Sequence, residues 1–256
     1  MGPSDDLARL RSYMQGCRRA VLLFSGGLDS SLLLAVGVET LGPGFTAVTF
    51  AGPHLPPGEL AAAWALARRH RVRHLIREFD PLGVPDFQQN SPERCYDCKK
   101  TIIRQAWKIA GVCGAEALWD GTNLDDLGHF RPGLRAVKES GVGSPLQEAG
   151  LDKAAIRDLS RTLGLDWRKP AQSCLATRFP YGTRLTREAL GRVGRAEAWL
   201  RRRGFTHVRL RVDQDRARLE LAPEEWPGFL SPWVRRPFAS LVHRLGWRLE
   251  EVGGGG

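Results

Sequence analysis

Of the 38 basic residues in this 256-residue chain only six are lysine, which leaves 32 arginines. Cysteine is sparse too, and its odd count of five excludes a disulfide framework and points to a reducing compartment. No run approaches the roughly 18 uninterrupted apolar residues of a membrane span. Asp5, Asp6, Arg9 and Arg11 break up any signal-peptide core at the start, so the expectation is a cytoplasmic protein with no membrane partner. What is present, 42% hydrophobic and 26% charged residues, suffices for one large domain or two unequal ones, each with its own core. The net charge of +10 invites an anionic partner: nucleic acid, a nucleotide or a phosphorylated small molecule. A lysine-poor, arginine-, alanine- and glycine-rich composition is also what a GC-rich genome produces, so charge alone does not choose among them.

The first 170 residues alternate short apolar runs with longer helical patterns, as a parallel sheet with crossover helices does, and the first domain is expected over 1–185. Strands are predicted at 20–24, 45–50, 73–79 and 117–120, and helices at 29–40, 59–70, 100–110 and 153–163. Two stretches, 80–92 and 166–185, lack periodicity and are too long for ordinary connections. From Thr186 the pattern becomes helix (187–203), strand (207–212), strand (217–221), helix (232–245) and strand (247–252), an αββαβ order for a small α+β domain over 186–252. Gly253 to Gly256 reads as a flexible tail.

The first predicted strand runs into Ser25, Gly26, Gly27, Leu28, Asp29, Ser30 and Ser31. Glycines admit close backbone approach, and free N–H groups, a helix N-terminus and serine hydroxyls there converge on an anion. No lysine follows the glycines, so this is not the common triphosphatase loop. It resembles the S-G-G-x-D-S signature of the PP-loop ATP pyrophosphatases. That resemblance implies a doubly wound α/β fold of the adenine nucleotide alpha hydrolase type, ATP as substrate, pyrophosphate held by the loop, and Mg²⁺ organised by Asp29. A second cluster, Asp120, Gly121, Thr122, Asn123, Leu124, Asp125 and Asp126, follows another predicted strand and would line the same crevice, with Asp125 and Asp126 as oxygen ligands for magnesium.

Cys95 and Cys98 stand about one helical turn apart among Arg94, Lys99 and Lys100, and Cys174 follows 76 residues after Cys98, close to Arg178. Two thiolates fill half of a zinc or iron–sulfur site, and with Cys174 the count is three. Basic neighbours would favour the thiolate forms. Cys17 and Cys113 have no such spacing and read as packing residues.

Together with Arg131-Pro132-Gly133, Ser144-Pro145-Leu146, Lys153 with Arg157, Cys174-Leu175-Ala176-Thr177-Arg178 and Pro180-Tyr181-Gly182, these motifs resemble the ATP-dependent sulfur transferases of nickel-pincer nucleotide biosynthesis, which matures the lactate racemase cofactor. The resemblance implies that a carboxylate of pyridinium-3,5-biscarboxylic acid mononucleotide is adenylated, and that sulfur then displaces AMP to leave a thiocarboxylate. Family members take that sulfur either from the side chain of the cysteine matching Cys174, which is sacrificed, or from sulfide on a [4Fe-4S] cluster held by three cysteines matching Cys95, Cys98 and Cys174. The presence of all three favours the cluster type. The resemblance further implies Arg178, Arg209, Arg211 and Glu197 at the substrate, and a homo-oligomer built on trimers. The C-terminal residues Gly246-Trp247-Arg248 and beyond depart from the family's usual ending. Two other classes compete: a tRNA-thiolating PP-loop enzyme, disfavoured because no tRNA-binding appendage is recognisable, and an ammonia-using NAD or GMP synthetase-like ligase, which would leave the three cysteines without a role.

Overall fold

The computed structural model describes residues 2–128 and 132–250, so Arg131 and the glycines 253–256 lie outside the described residues. In chain order the elements are α1 (Pro3–Met14), β1 (Ala20–Leu23), α2 (Leu28–Leu41), β2 (Phe45–Ala51), α3 (Glu59–Arg69), β3 (Arg73–Glu78), α4 (Pro85–Gln88), α5 (Arg94–Cys113), β4 (Ala117–Trp119), α6 (Pro132–Glu139), α7 (Pro145–Glu148), α8 (Lys153–Thr162), α9 (Arg187–Arg201), β5 (Arg209–Asp213), β6 (Arg216–Glu220), α10 (Trp226–Leu230), α11 (Pro232–Arg244) and β7 (Arg248–Leu249). Two compact units result: residues up to Gly52 with Glu59–Phe79 and Pro92–Ala171, and a smaller unit of Pro53–Gly58, Asp80–Ser91 and the residues from Gln172 onward. Among the described residues no helix is long and apolar enough to cross a membrane.

The larger unit is the expected doubly wound α/β fold. Its four strands are all parallel, in the order β3-β2-β1-β4, with Leu22 opposite both Ala47 and Trp119. The central strand, Ala-Val-Leu-Leu, is buried throughout, as a strand covered on both faces must be. At the edge, β3 carries Arg73, Arg77 and Glu78, whose charges discourage pairing with another chain. Leu32, Leu33, Leu34 and Val36 of α2 enter a core with Leu10, Leu22, Phe45, Trp119 and Ile156. The chain moves outward from β1 to β3 and then returns to the other side of β1 for β4. Strand order therefore reverses between β1 and β4, and ligands of such sheets bind at the carboxyl ends of the strands flanking that point.

In the smaller unit β5 pairs antiparallel with β6, and β6 parallel with β7, accompanied by α9, α10 and α11. The two stretches without periodicity find partners in each other. Leu185 N donates to Gln88 O at 2.7 Å, Gly182 N to Asn90 O at 3.1 Å, and the buried Asn90 amide to the carbonyls of Phe179 and Pro180 at 3.1 and 2.7 Å. Irregular backbone packed inside a unit needs such partners. Leu175 N likewise donates to His54 O at 2.9 Å, tying in the segment after β2.

His54 lies in that segment with its ring edge-on to Phe87, and burial pushes its imidazole down to about 4 from 6.5, the nearby Asp80 opposing only in part. The unfolded chain binds a proton near 6.5 that the folded protein takes up only near 4, so stability falls as pH drops through that window. The full loss is about 3 kcal/mol from this residue. Urea unfolding at pH 7 and pH 5 checks it: His54→Gln flattens the pH dependence, and an unchanged slope in that variant would count against burial as the cause.

Candidate functional site

The loop after β1 begins at Phe24, whose N–H continues the sheet by donating to Val48 O at 2.8 Å. Gly26 takes φ +74°, a left-handed conformation that side chains resist, and a Cβ there would stand 2.9 Å from the Cβ of Ala63 on α3. The loop is thus pressed against α3 where only glycine fits. Ser25 Oγ lies 3.0 Å from Ser30 Oγ and accepts from Gly27 N at 3.3 Å, while Ser30 Oγ donates to Gly27 O at 3.1 Å. Helix α2 starts at Leu28, and its first intrahelical bond runs from Ser31 N to Gly27 O. The N–H groups of Leu28, Asp29 and Ser30 have no intrahelical acceptor and point out of the positive end of the helix.

The second cluster stands beside this loop, as β1 and β4 are hydrogen-bonded neighbours. A Cβ on Gly121 would meet Asp29 Cβ and Ser30 N, each at 3.3 Å. Asn123 Nδ2 approaches Asp29 Oδ1 at 3.5 Å, and Lys153 Nζ, on the first turn of α8, donates to the same oxygen at 2.6 Å. Asp120 is buried; it accepts from Thr122 N and Ser144 Oγ, both at 3.1 Å, and pairs with Lys99 of α5 at 3.2 Å. Burial alone would raise its carboxyl, but Lys99 and the Thr122 N–H outweigh that and hold it below the usual range. Asp125 and Asp126 build the turn: Lys153 N donates to Asp125 at 2.8 Å and Asn123 N to Asp126 at 3.1 Å.

For magnesium, the oxygen donors suit a hard cation, and Asp29 stands at the start of α2 beside the glycine loop. Among the described residues, however, no three His, Cys, Asp or Glu side chains gather into a metal-holding group. For a cluster, Cys95 and Cys98 occupy the first turn of α5, which starts at Arg94 rather than at 100, with Cys95 exposed and Cys98 half-buried. Two thiols one turn apart suit iron–sulfur ligation. Cys174, half-buried, belongs to the smaller unit, where its carbonyl accepts from Thr177 N at 3.0 Å and Thr177 Oγ1 at 2.8 Å. Three of the cations named as thiol neighbours have carboxylate partners: Lys99 with Asp120, Lys100 with Glu139 and Arg178 with Glu197.

In the smaller unit the side chains of Arg178 and Glu197, expected at the substrate, are almost fully covered, at 1% and 0% exposure. Arg178 Nε donates to Glu197 Oε1 at 2.6 Å, and its Nη1 to the hydroxyls of Ser173 and Thr177 at 2.7 Å each. Glu197 also accepts from Arg201 at 2.8 Å and from Leu210 N at 3.0 Å. The pair therefore ties the turn after Cys174 to α9 and β5. Arg209 and Arg211 do share the open face of β5, opposite the buried Leu210 and Val212. Arg211 donates to Thr177 O at 3.1 Å, whereas no hydrogen bond reaches the half-buried Arg209 guanidinium among the described residues. Burial, with repulsion from Arg178 and Arg211, pulls that guanidinium below its ordinary pKa. A cavity of about 410 Å³, lined by Thr177, Arg178, Phe179, Arg211, Arg216 and Arg218, opens on this face.

At the loop after β1 the structure adds Lys169, whose Nζ donates to Gly26 O at 2.9 Å and to Glu59 Oε2 at 3.0 Å; 110 residues separate this pair and neither sits in a motif, so the sequence carries no signal for it. The role of Glu197 had a visible signal: it shares the apolar stripe of α9 with Leu190, Val193 and Leu200, which marks a buried acid.

No family model matches the chain. It is 36% identical over 241 residues to the pyridinium-3,5-bisthiocarboxylic acid mononucleotide synthase of Lactiplantibacillus plantarum, covering 93% of this chain and 87% of that protein. An uncharacterized Synechocystis protein is 41% identical over 225 residues, covering 88% of this chain and 84% of its own length. The 7-cyano-7-deazaguanine synthase of Desulforudis audaxviator is 29% identical over 184 residues, or 58% of this chain and 84% of that protein.

The two kinds of arginine in the smaller unit are separable by mutation. Glu197→Ala strands Arg178 as a buried charge and is expected to cost about 3–5 kcal/mol in urea unfolding. Arg209→Ala removes a cation from a crowded patch and is expected to stay within about 1 kcal/mol of the parent. Equal losses in the two variants would refute the division.

Proposed function

Because the chain belongs to the family of the pyridinium-3,5-bisthiocarboxylic acid mononucleotide synthase, we propose that it is an ATP-dependent sulfur transferase making a thiocarboxylate of a pyridinium mononucleotide for the nickel-pincer cofactor. The observation that carries the ATP reading is the glycine loop at the strand-order reversal, with the α2 N-terminus, two serine hydroxyls and the Asp29–Lys153 pair around it. The match to 7-cyano-7-deazaguanine synthase, another PP-loop enzyme, supports it.

A carboxylate is a poor acyl donor. In the proposed reaction its oxygen attacks the α-phosphorus of ATP, the bond to the β-phosphate breaks, and pyrophosphate leaves. The loop N–H groups and the helix end hold that leaving group by electrostatics prepared in advance. Lys153 balances Asp29 beside the phosphates, and Asn123 Nδ2 approaches the same carboxylate oxygen. Sulfur then adds to the acyl carbon, and AMP departs with the C–O electron pair. Arg209, a cation without a hydrogen-bonding acceptor among the described residues, is assigned to the substrate phosphate, and Arg211 stands next to it on the same face. Cys95, Cys98 and Cys174 would hold a [4Fe-4S] cluster. When bound, the cluster would supply sulfide at its open iron.

One turnover experiment on anaerobically purified protein tests both halves. Supplied with ATP, Mg²⁺, inorganic sulfide and the biscarboxylic mononucleotide, it should release pyrophosphate only when the mononucleotide is present, and the polypeptide's mass should be unchanged once thiocarboxylate has formed from the added sulfide. A loss of one hydrogen sulfide at Cys174 would replace the cluster with the sacrificial source. No pyrophosphate release would reject the adenylation chemistry. Arg209→Ala should raise the KM for the mononucleotide about tenfold or more, as the loss of a charge-assisted contact does, while leaving that for ATP unchanged.

A further inference from the structure

The carbonyl of Gly26 points away from the serine side of the loop. Lys169 Nζ donates to it at 2.9 Å and pairs with Glu59 Oε2 at 3.0 Å. Both side chains are largely covered, at 18% and 17% exposure. Glu59 lies one turn before Ala63 on α3, the residue that closes on Gly26. One helix therefore supplies both the wall behind the loop and the carboxylate that holds Lys169.

This contact has a geometric consequence. All described peptide bonds are trans, and in a planar trans peptide the C=O and the following N–H point in opposite directions. With the Gly26 carbonyl drawn to Lys169, the Gly27 N–H turns to the loop interior, where it meets Ser25 Oγ at 3.3 Å beside Ser30 Oγ. A peptide between two glycines has no Cβ to resist rotation. Reversed, it would direct a carbonyl oxygen at any bound anion.

We propose that Lys169, held by Glu59, is a positioning residue that fixes the Gly26–Gly27 peptide in its anion-binding orientation without touching the phosphates. It works through the backbone, and its charge is already matched by Glu59. The inference rests on the reading that this loop holds the phosphates of ATP.

Calorimetric titration with Mg·ATP and with pyrophosphate, alongside melting temperatures, tests it on the parent protein and on Lys169→Met, Lys169→Arg and Glu59→Gln. Lys169→Met should weaken both ligands about tenfold, the worth of one hydrogen bond from a charged donor, and should also lower the melting temperature because Glu59 is left without its cation. Lys169→Arg should restore most of the affinity. Glu59→Gln should also weaken binding, because Lys169 loses its anchor. If Lys169 instead contacted phosphate directly, freeing it with Glu59→Gln would tighten binding, and that result overturns the proposal. So does parent-like affinity in Lys169→Met, or a fall in melting temperature with unchanged affinity. Failure of the parent protein to bind either ligand is visible before any substitution and would remove the ATP reading together with this one.

Discussion

The tip of the loop between β1 and α2 lies against Ala63 with no room for a side chain at residue 26, and the larger unit is arranged around that approach. On the other side Gly121 presses on Asp29 and Ser30, so three chain segments meet where two of them can offer only backbone. Such a meeting requires β1 and β4 to be neighbours, and the order β3-β2-β1-β4 makes them so. What converges is then a set of main-chain N–H groups and short hydroxyls rather than long side chains. That suits an anion approaching closely, and it leaves Asp29 as a carboxylate in a place prepared for negative charge. Lys153 resolves the conflict by crossing from α8 to pair with it.

The smaller unit solves a different problem. Arg178 and Glu197 are buried in a setting that ordinarily penalises ions, and the pair is tolerable only because nearly every polar atom has a partner. Those partners are Ser173, Thr177, Arg201 and the Leu210 N–H, which belong to the Cys174 turn, α9 and β5. The network therefore fixes the turn bearing Cys174 relative to the strand bearing Arg209 and Arg211. A hydrophobic replacement could match its stability but could not orient three segments by directed bonds.

Strands β1 to β4 were legible because each rests on a local apolar run and turn residues, and in the smaller unit the expected αββαβ elements are joined by the short helix α10 between β6 and α11. The two polar clusters were legible as sites because each follows a strand end. Helix α5 begins six residues before and ends three residues after the expected 100–110: Arg94, Cys95, Tyr96, Asp97 and Cys98 carry no apolar period, and the buried stripe runs through Ile103, Ala106 and Ala110. Stretches 80–92 and 166–185 looked structureless because their partners are each other, roughly ninety residues away, as for Asn90 with Phe179 and Pro180. Direction was the hardest property to read. Arg178 and Glu197 resemble ligand-facing residues in sequence, and only their burial against one another shows that they hold the backbone.

The opening scarcity of lysine acquires a meaning from where the lysines stand. Three of the six, Lys99, Lys153 and Lys169, flank the glycine loop after β1 and its neighbouring turn, each on a carboxylate: Asp120, Asp29 and Glu59. An ammonium is a compact point charge with rotatable donors, so it can serve a carboxylate and a backbone carbonyl together in little space, as Lys169 does. The guanidinium of Arg178 needs the opposite, a planar surround of fixed acceptors, and finds it in Glu197 and two hydroxyls. These four cations are thus each matched by a carboxylate. Arg209 stands apart as a half-buried cation without a hydrogen bond among the described residues, which makes it the position where an incoming anion gains most.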